Sequence, residues 1–193
     1  LEQGKSVIGR GTISGDFENE GLVQGDSTDD RITFAAGYTV TGKGEGVNVA
    51  YDGVYKPGDS PAAVSGTDNA YSGSIEIELG GLIPGEGLNH HDQINDTGVL
   101  DLSGNPTLEI ASWNGFIPEL GDTFVILTWQ DGLLGGFGEI VYDPAFGNML
   151  FDVTYTNPAG TGFATLGVTA IPEPATSALL GFVGLSLLRR RRI

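Results

Sequence analysis

Three groups of side chains have the types and spacing for chemistry. The first is His90-His91-Asp92, which sets both histidines of the chain beside a carboxylate and could supply metal ligands or an acid-base pair. Successive residues of a strand face opposite sides, so His90 and His91 can share one metal only if they sit in a turn. The second is Asp26 to Asp30, where Asp26, Asp29 and Asp30 place three carboxylates in five residues, hard-oxygen chemistry suited to calcium. This spacing fits neither an EF-hand loop nor a nonapeptide calcium repeat; it reads first as a solvated turn, with weak divalent-ion binding as the chemical alternative. The third group is aromatic: Tyr38, Tyr51, Tyr55, Trp113, Trp129 and Tyr142 could stack on sugars if aligned at the surface, or pack as core.

Paired carboxylates are plentiful and could do glycosidase chemistry, but with 25 acids in 193 residues some pair falls at catalytic separation by chance. Residues 1 to 171 carry 24 acids and 5 bases, a net charge of −19, and no basic cluster stands ready to stabilise an anionic sugar or a developing oxyanion. So acidic a surface repels phosphate backbones, which argues against nucleic-acid binding. Zero cysteines remove disulfides, thiol nucleophiles and zinc-thiolate sites, and suit an exported protein that does not rely on oxidative folding. No GxSxG, Walker or dinucleotide motif is present, and no cofactor is implied. A non-enzymatic protein is expected; the alternative is a secreted carbohydrate-active β-helix enzyme, a polysaccharide lyase or glycosidase.

The elements that would position these residues are short strands. From Gly9 to Gly25 every odd position is small, apolar or Asn, a period-two pattern with glycines marking corners. Alternation continues in pieces to Tyr55, and KPGDSP at 56–61 is a turn cluster and a candidate boundary. Gly73 to Leu79 then sets Ile75, Ile77 and Leu79 against Ser74, Glu76 and Glu78. Further strands are expected at 99–102, 107–111, 123–129, 139–142, 150–156 and 163–170, the last two joined by NPAGTG as a terminal hairpin. Strands this short and closely spaced leave no room for helical crossovers, so they predict stacked β-coils, although no strict repeat period exists. The expected division is β-solenoid rungs over 1–61, a terminal β-solenoid or sandwich-like region over 62–170, and a separate tail over 171–193.

That tail differs in kind. Residues 175–188, ATSALLGFVGLSLL, carry no charge and are followed by Arg189, Arg190, Arg191 and Arg192. A helix of that length spans roughly 21 Å against a bilayer core of ~30 Å, so it would be a short membrane anchor. Pro172 and Pro174 favour an extended backbone just before it. Position 1 is Leu, so the sequence is expected to be a mature or truncated form, with any signal peptide upstream.

The string IPEPATSALLGFVGLSLLRRRRI resembles the PEP-CTERM sorting signal of Gram-negative bacteria, with its tripeptide at Pro172-Glu173-Pro174, then an apolar helix and an arginine cluster. The resemblance implies recognition of Pro172, Glu173 and Pro174 by an exosortase, a transient inner-membrane anchor over 175–188, and export to the surface or matrix of an exopolysaccharide-producing, often biofilm-forming cell, with exopolysaccharide a further candidate partner. In the body, GTISG at 11–15, PGDSP at 57–61, HDQI at 91–94, NGFIP at 114–118 and GDTFVILT at 121–128 are similar to the passenger-associated β-strand repeats of autotransporter adhesins. That resemblance implies an all-β, right-handed parallel β-solenoid with a C-terminal hairpin cap, and in those repeats the His91 position opens a structural turn, the reading favoured for it here. Ala62 departs from the glycine usual after the PGxSP turn, and no translocator barrel follows the repeats.

Overall fold

A three-residue strand cannot bury its apolar face alone, so each must lie on the next. In the computed structural model, which describes residues 1–58 and 60–170, the chain does this in six successive three-strand coils. The first three are β1 (Ser6–Gly9), β2 (Gly11–Ile13) and β3 (Phe17–Glu18); β4 (Leu22–Gly25), β5 (Ile32–Phe34) and β6 (Thr39–Thr41); and β7 (Glu45–Val47), β8 (Val49–Tyr51) and β9 (Val54–Tyr55). Coil four is β10 (Ala63–Thr67), β11 (Ala70–Tyr71) and β12 (Ser74–Leu79), followed by the small strands β13 (Ile83–Pro84) and β14 (His90–His91). Coils five and six are β15 (Gln93–Asp96), β16 (Val99–Leu102) and β17 (Thr107–Ser112), then β18 (Thr123–Trp129), β19 (Gly132–Gly135) and β20 (Glu139–Tyr142). A 3-10 turn at Pro144–Phe146 leads to a hairpin of β21 (Met149–Thr156) and β22 (Gly162–Ala170).

The first, second and third strands of the coils form three sheets, and the strands of successive coils pair in parallel. Val7 pairs Val23, Val23 pairs Gly46, Gly46 pairs Gly66, Gly66 pairs Asp96 and Ile94 pairs Leu127, offsets of 16, 23, 20, 30 and 33 residues. Rungs of such unequal length explain the absence of a sequence period. The pattern from Gly9 to Gly25 proves to be four short strands, and all three sheets run through residues 56–61 without interruption, β7 pairing β10, β8 pairing β11 and β9 pairing β12. The tail expectations over 171–193 lie outside the described residues.

Inward residues stack into ladders. The rings of Phe34 and Tyr51 lie 5.5 Å apart, and those of Tyr51 and Tyr71 4.9 Å apart and nearly parallel. Ile75 sits over Leu108 and that over Ile140, with Ile77, Ile110 and Tyr142 beside them. Corners demand special residues: Asn48 and Asp68 turn the chain between the first and second sheets with φ of 52° and 54°. At the next corner a Cβ on Gly73 would lie 1.9 Å from the Gly53 carbonyl oxygen, so only glycine lets successive coils approach there.

The two ends differ. After coil six the chain reverses: β22 pairs antiparallel with β18 and β21 with β22, bringing Phe151 onto Tyr142 and Phe146 at ring separations of 5.5 and 5.1 Å. Leu166, Val168 and Phe151 are buried by this hairpin. At coil one the equivalent inward residues Val7, Ile13 and Phe17 stay partly exposed, although their neighbours Val23, Phe34 and Val40 are buried.

Candidate functional site

Three carboxylates, Glu76, Glu78 and Asp92, line one cleft on the outer face of the third sheet. Alternation in β12 turns Ile75, Ile77 and Leu79 inward and leaves Glu76 and Glu78 facing outward. Glu109 on β17 extends the row beside Glu76. Lys56, just after β9, donates to the Glu76 carboxylate at 2.6 Å. Lys56, Glu76 and Glu78, together with Thr41, Pro57, Gly58 and Asp92, line a cleft of about 190 Å³.

Asp92 forms the floor of the cleft and is fully buried. One of its oxygens accepts from the Ala62 N–H and the other from the Glu78 N–H, each at 2.7 Å. Burial pushes this carboxyl up to about 8 against those two hydrogen bonds, with the neighbouring Glu78 and Glu76 charges adding to the rise. The carboxyl thus clips the start of β10 to the end of β12, and its geometry is that of a structural acceptor rather than an acid presented to a ligand. Asp96 repeats the device one corner on, accepting from the N–H groups of Asp68, Asn69 and Gly98 at 3.0, 3.2 and 2.8 Å, and burial raises its pKa too. Asn69 joins the previous coil by accepting from the Val49 N–H and donating to the Gly46 carbonyl. Asn19 does the same job between coils one and three, accepting from the Gly21 N–H and donating to the Glu45 carbonyl.

The residues singled out in the sequence separate. His91 is buried with its ring edge-on to Phe124, Nδ1 3.1 Å from the Gly81 carbonyl oxygen and Nε2 3.3 Å from that of Val125. Burial holds its pKa below the ordinary imidazole value although both carbonyls favour the protonated ring, and in the neutral ring only one nitrogen carries a hydrogen for either carbonyl to accept. His90 and His91 form a short strand rather than a turn. Asp26, Asp29 and Asp30 do not converge; they are exposed around Ser27, whose hydroxyl accepts from the Asp29 and Asp30 N–H groups, while Asp30 pairs with Arg10 at 3.2 Å. Among the described residues no three His, Cys, Asp or Glu side chains could hold a metal ion together. Tyr51, Tyr55 and Trp129 are core, and no row of these aromatics lies at the surface.

Asp92, Asp96, Asn69 and Asn19 were not foreseen as structural residues. Their signal was a polar side chain at an inward position, as where Asp96 follows Ile94 by two residues. Among the described residues no helix is long and apolar enough to cross a membrane. The last described residue, Ala170, pairs with Met149, and Val168 just before it is hydrogen-bonded to Gly121 and Asp122 at the end of the neighbouring loop. No protein-family model, curated protein or solved structure matches the chain.

Proposed function

We propose that this is an exported, non-enzymatic surface or extracellular-matrix protein of an exopolysaccharide-producing Gram-negative bacterium. Its body is a right-handed parallel β-solenoid closed by the C-terminal hairpin, and its tail is a sorting signal with a short hydrophobic helix. The observation that carries this reading is the tripartite string itself: Pro172-Glu173-Pro174, fourteen uncharged residues, and four consecutive arginines, in that order over residues 172–192. The arginines hold the end of the tail on the cytoplasmic side, so the acidic body lies outside the inner membrane. The two prolines keep the chain extended where an exosortase would bind it, and fourteen apolar residues suit a transient span better than a permanent one. The body supports the reading by what it is built for: its buried polar groups clip coils together, and the one basic residue of its cleft, Lys56, is held by Glu76.

The test is substitution of Pro172, Glu173 and Pro174 together by Ala in the full chain, followed by cell fractionation. The body should accumulate in the inner membrane, whereas the unsubstituted protein reaches the cell exterior. Equal export of both would remove the sorting signal from the account.

A further inference from the structure

Five of the ten exposed large hydrophobic side chains of the described body lie in two loops: Leu82, Ile83 and Leu88 at 53, 64 and 61% exposure, and Ile117 and Leu120 at 44 and 68%. The loops belong to one corner. They leave the adjacent ends of β12 and β17, where Leu79 pairs Ser112, and return into the adjacent strands β15 and β18, where Ile94 pairs Leu127. Water-exposed apolar side chains gathered in this way mark a contact surface. The same corner holds two buried side-chain nitrogens without a hydrogen-bond partner in the described structure, His90 Nδ1 at the end of the first loop and Trp113 Nε1 at the start of the second. An indole N–H shut away from water without an acceptor is costly, and rearrangement of the two loops around an occupant could supply one.

We infer that the occupant of this corner is the chain's own residues 175–188. The body's last strand delivers them there: the Gly121 N–H donates to the Val168 carbonyl and the Val168 N–H to the Asp122 carbonyl, so β22 ends beside Leu120. Only residues 171–174 intervene, a reach of roughly 13 Å when extended. Residues 175–188 offer five leucines, a phenylalanine and a valine for the apolar patch, with Thr176, Ser177 and Ser186 as sources of hydroxyl oxygens. Charge points the same way. Residues 57–170 contain fifteen acids and no Lys or Arg, Glu119 and Asp122 among them in the second loop, and the four arginines follow directly after residue 188. An anionic bilayer surface would be repelled by this half of the body, as would the same corner of a second copy. Docking the tail would shield its apolar residues in water, and release would be required before any membrane could receive it. The inference rests on the tail's composition and the body's geometry, and holds whether or not the tail is a sorting signal.

Amide hydrogen exchange on the full chain in lipid-free buffer tests it, comparing wild type with the triple variant Leu179→Asp, Leu180→Asp, Phe182→Asp, whose changes all lie outside the body. Exchange in 80–91 and 113–122 should be at least fivefold faster in the variant, at both of two protein concentrations tenfold apart, with coils one to three unchanged. Equal exchange in the two proteins would overturn the proposal. A difference that appears only at the higher concentration would assign the corner to a second copy instead. Protection that appears only on adding vesicles of phosphatidylethanolamine and phosphatidylglycerol would assign it to a membrane. Because the chain has no cysteine, a second measurement is direct: Leu120→Cys with Leu185→Cys should form an intramolecular disulfide at least tenfold faster than Ile8→Cys with Leu185→Cys. Adding Leu82→Asp and Leu88→Asp should slow the first pair; an unchanged rate would show tethering without docking and overturn the proposal.

Discussion

Coils one to three and coils four to six are built on one plan and stabilised by different means. In the first half rungs are short, an aromatic ladder of Phe17, Phe34, Tyr51 and Tyr55 runs inward beside Val23, Val40 and Val49, and all five bases of residues 1–170 lie between Lys5 and Lys56. In the second half the rungs lengthen by about ten residues, the core becomes aliphatic around Ile75, Leu108 and Leu100, and no base remains. The first half lends its cations to the second: Lys43 reaches Glu86 and Lys56 reaches Glu76, both at 2.6 Å, and the Arg31 guanidinium donates to the Asp68 carbonyl. A stack needs no charge balance within each coil provided that neighbours supply it, and burial can be concentrated where the end is closed.

The sharpest way to break this contrast is to truncate matched core residues at the two ends. Phe151→Ala, in the hairpin between Tyr142 and Phe146, should cost about 3–5 kcal/mol in urea unfolding. Phe17→Ala in the partly exposed first coil should cost less than about 2 kcal/mol. Equal costs would mean that the hairpin does not seal the core.

Next in size are the polar clips. Asp96→Ala strands three backbone N–H groups and should cost about 3 kcal/mol, while Asn19→Ala, which loses one accepted and one donated bond, should cost about 1 kcal/mol. Thermal or urea melts of the two variants check the ratio.

A pH series separates the halves further. The carboxyls of Asp92, near 8, and of Asp96, also raised, have folded pKa values above those of the unfolded chain, so the folded state holds more protons between about pH 4 and 8. The contribution of Asp92 is therefore greatest below about pH 4 and is lost as pH rises toward 8, and that of Asp96 is lost in the same direction. Urea midpoints should fall over that window, and Asp92→Asn should flatten the slope even though it lowers the midpoint at acid pH by mismatching one N–H. An unchanged slope in the variant would show that Asp92 is ionised in the fold.

Much of the architecture was legible because alternation marks strands with a strongly apolar inner face. Residues 74–79, 99–102 and 123–129 fall within one position of their expected bounds. The strands that escaped notice, β10, β11, β15 and β19, each bury only one apolar residue, Val64, Tyr71, Ile94 or Leu133, and in β10, β15 and β19 a Gly66, Asp96 or Gly132 is buried with it, so their alternation is too short and too polar to stand out. The roles of Asp92 and Asp96 were illegible for a related reason: a carboxylate in an acidic chain looks solvated until its distant backbone donors, fourteen to thirty positions away for all but Gly98, are in place. The apolar loops at Leu82 and Leu120 read as ordinary connections because only three-dimensional stacking of coils four and five brings them together.

The smallest expected effect is that of salt. Residues 57–170, with fifteen acids and no Lys or Arg, should gain more hydrogen-exchange protection from added sodium chloride than residues 1–56, with nine acids and five bases. A gain confined to calcium at matched ionic strength would return attention to Asp26, Asp29 and Asp30.

The central claim is that an acidic coil stack is exported and parted from a disposable tail. Intact-mass measurement of the protein recovered from the exterior of its native cells tests it most directly. The account predicts a C-terminus between residues 171 and 175, with the fourteen-residue apolar segment and all four terminal arginines gone. A full-length chain ending in Ile193, stably embedded in the inner membrane, would contradict it.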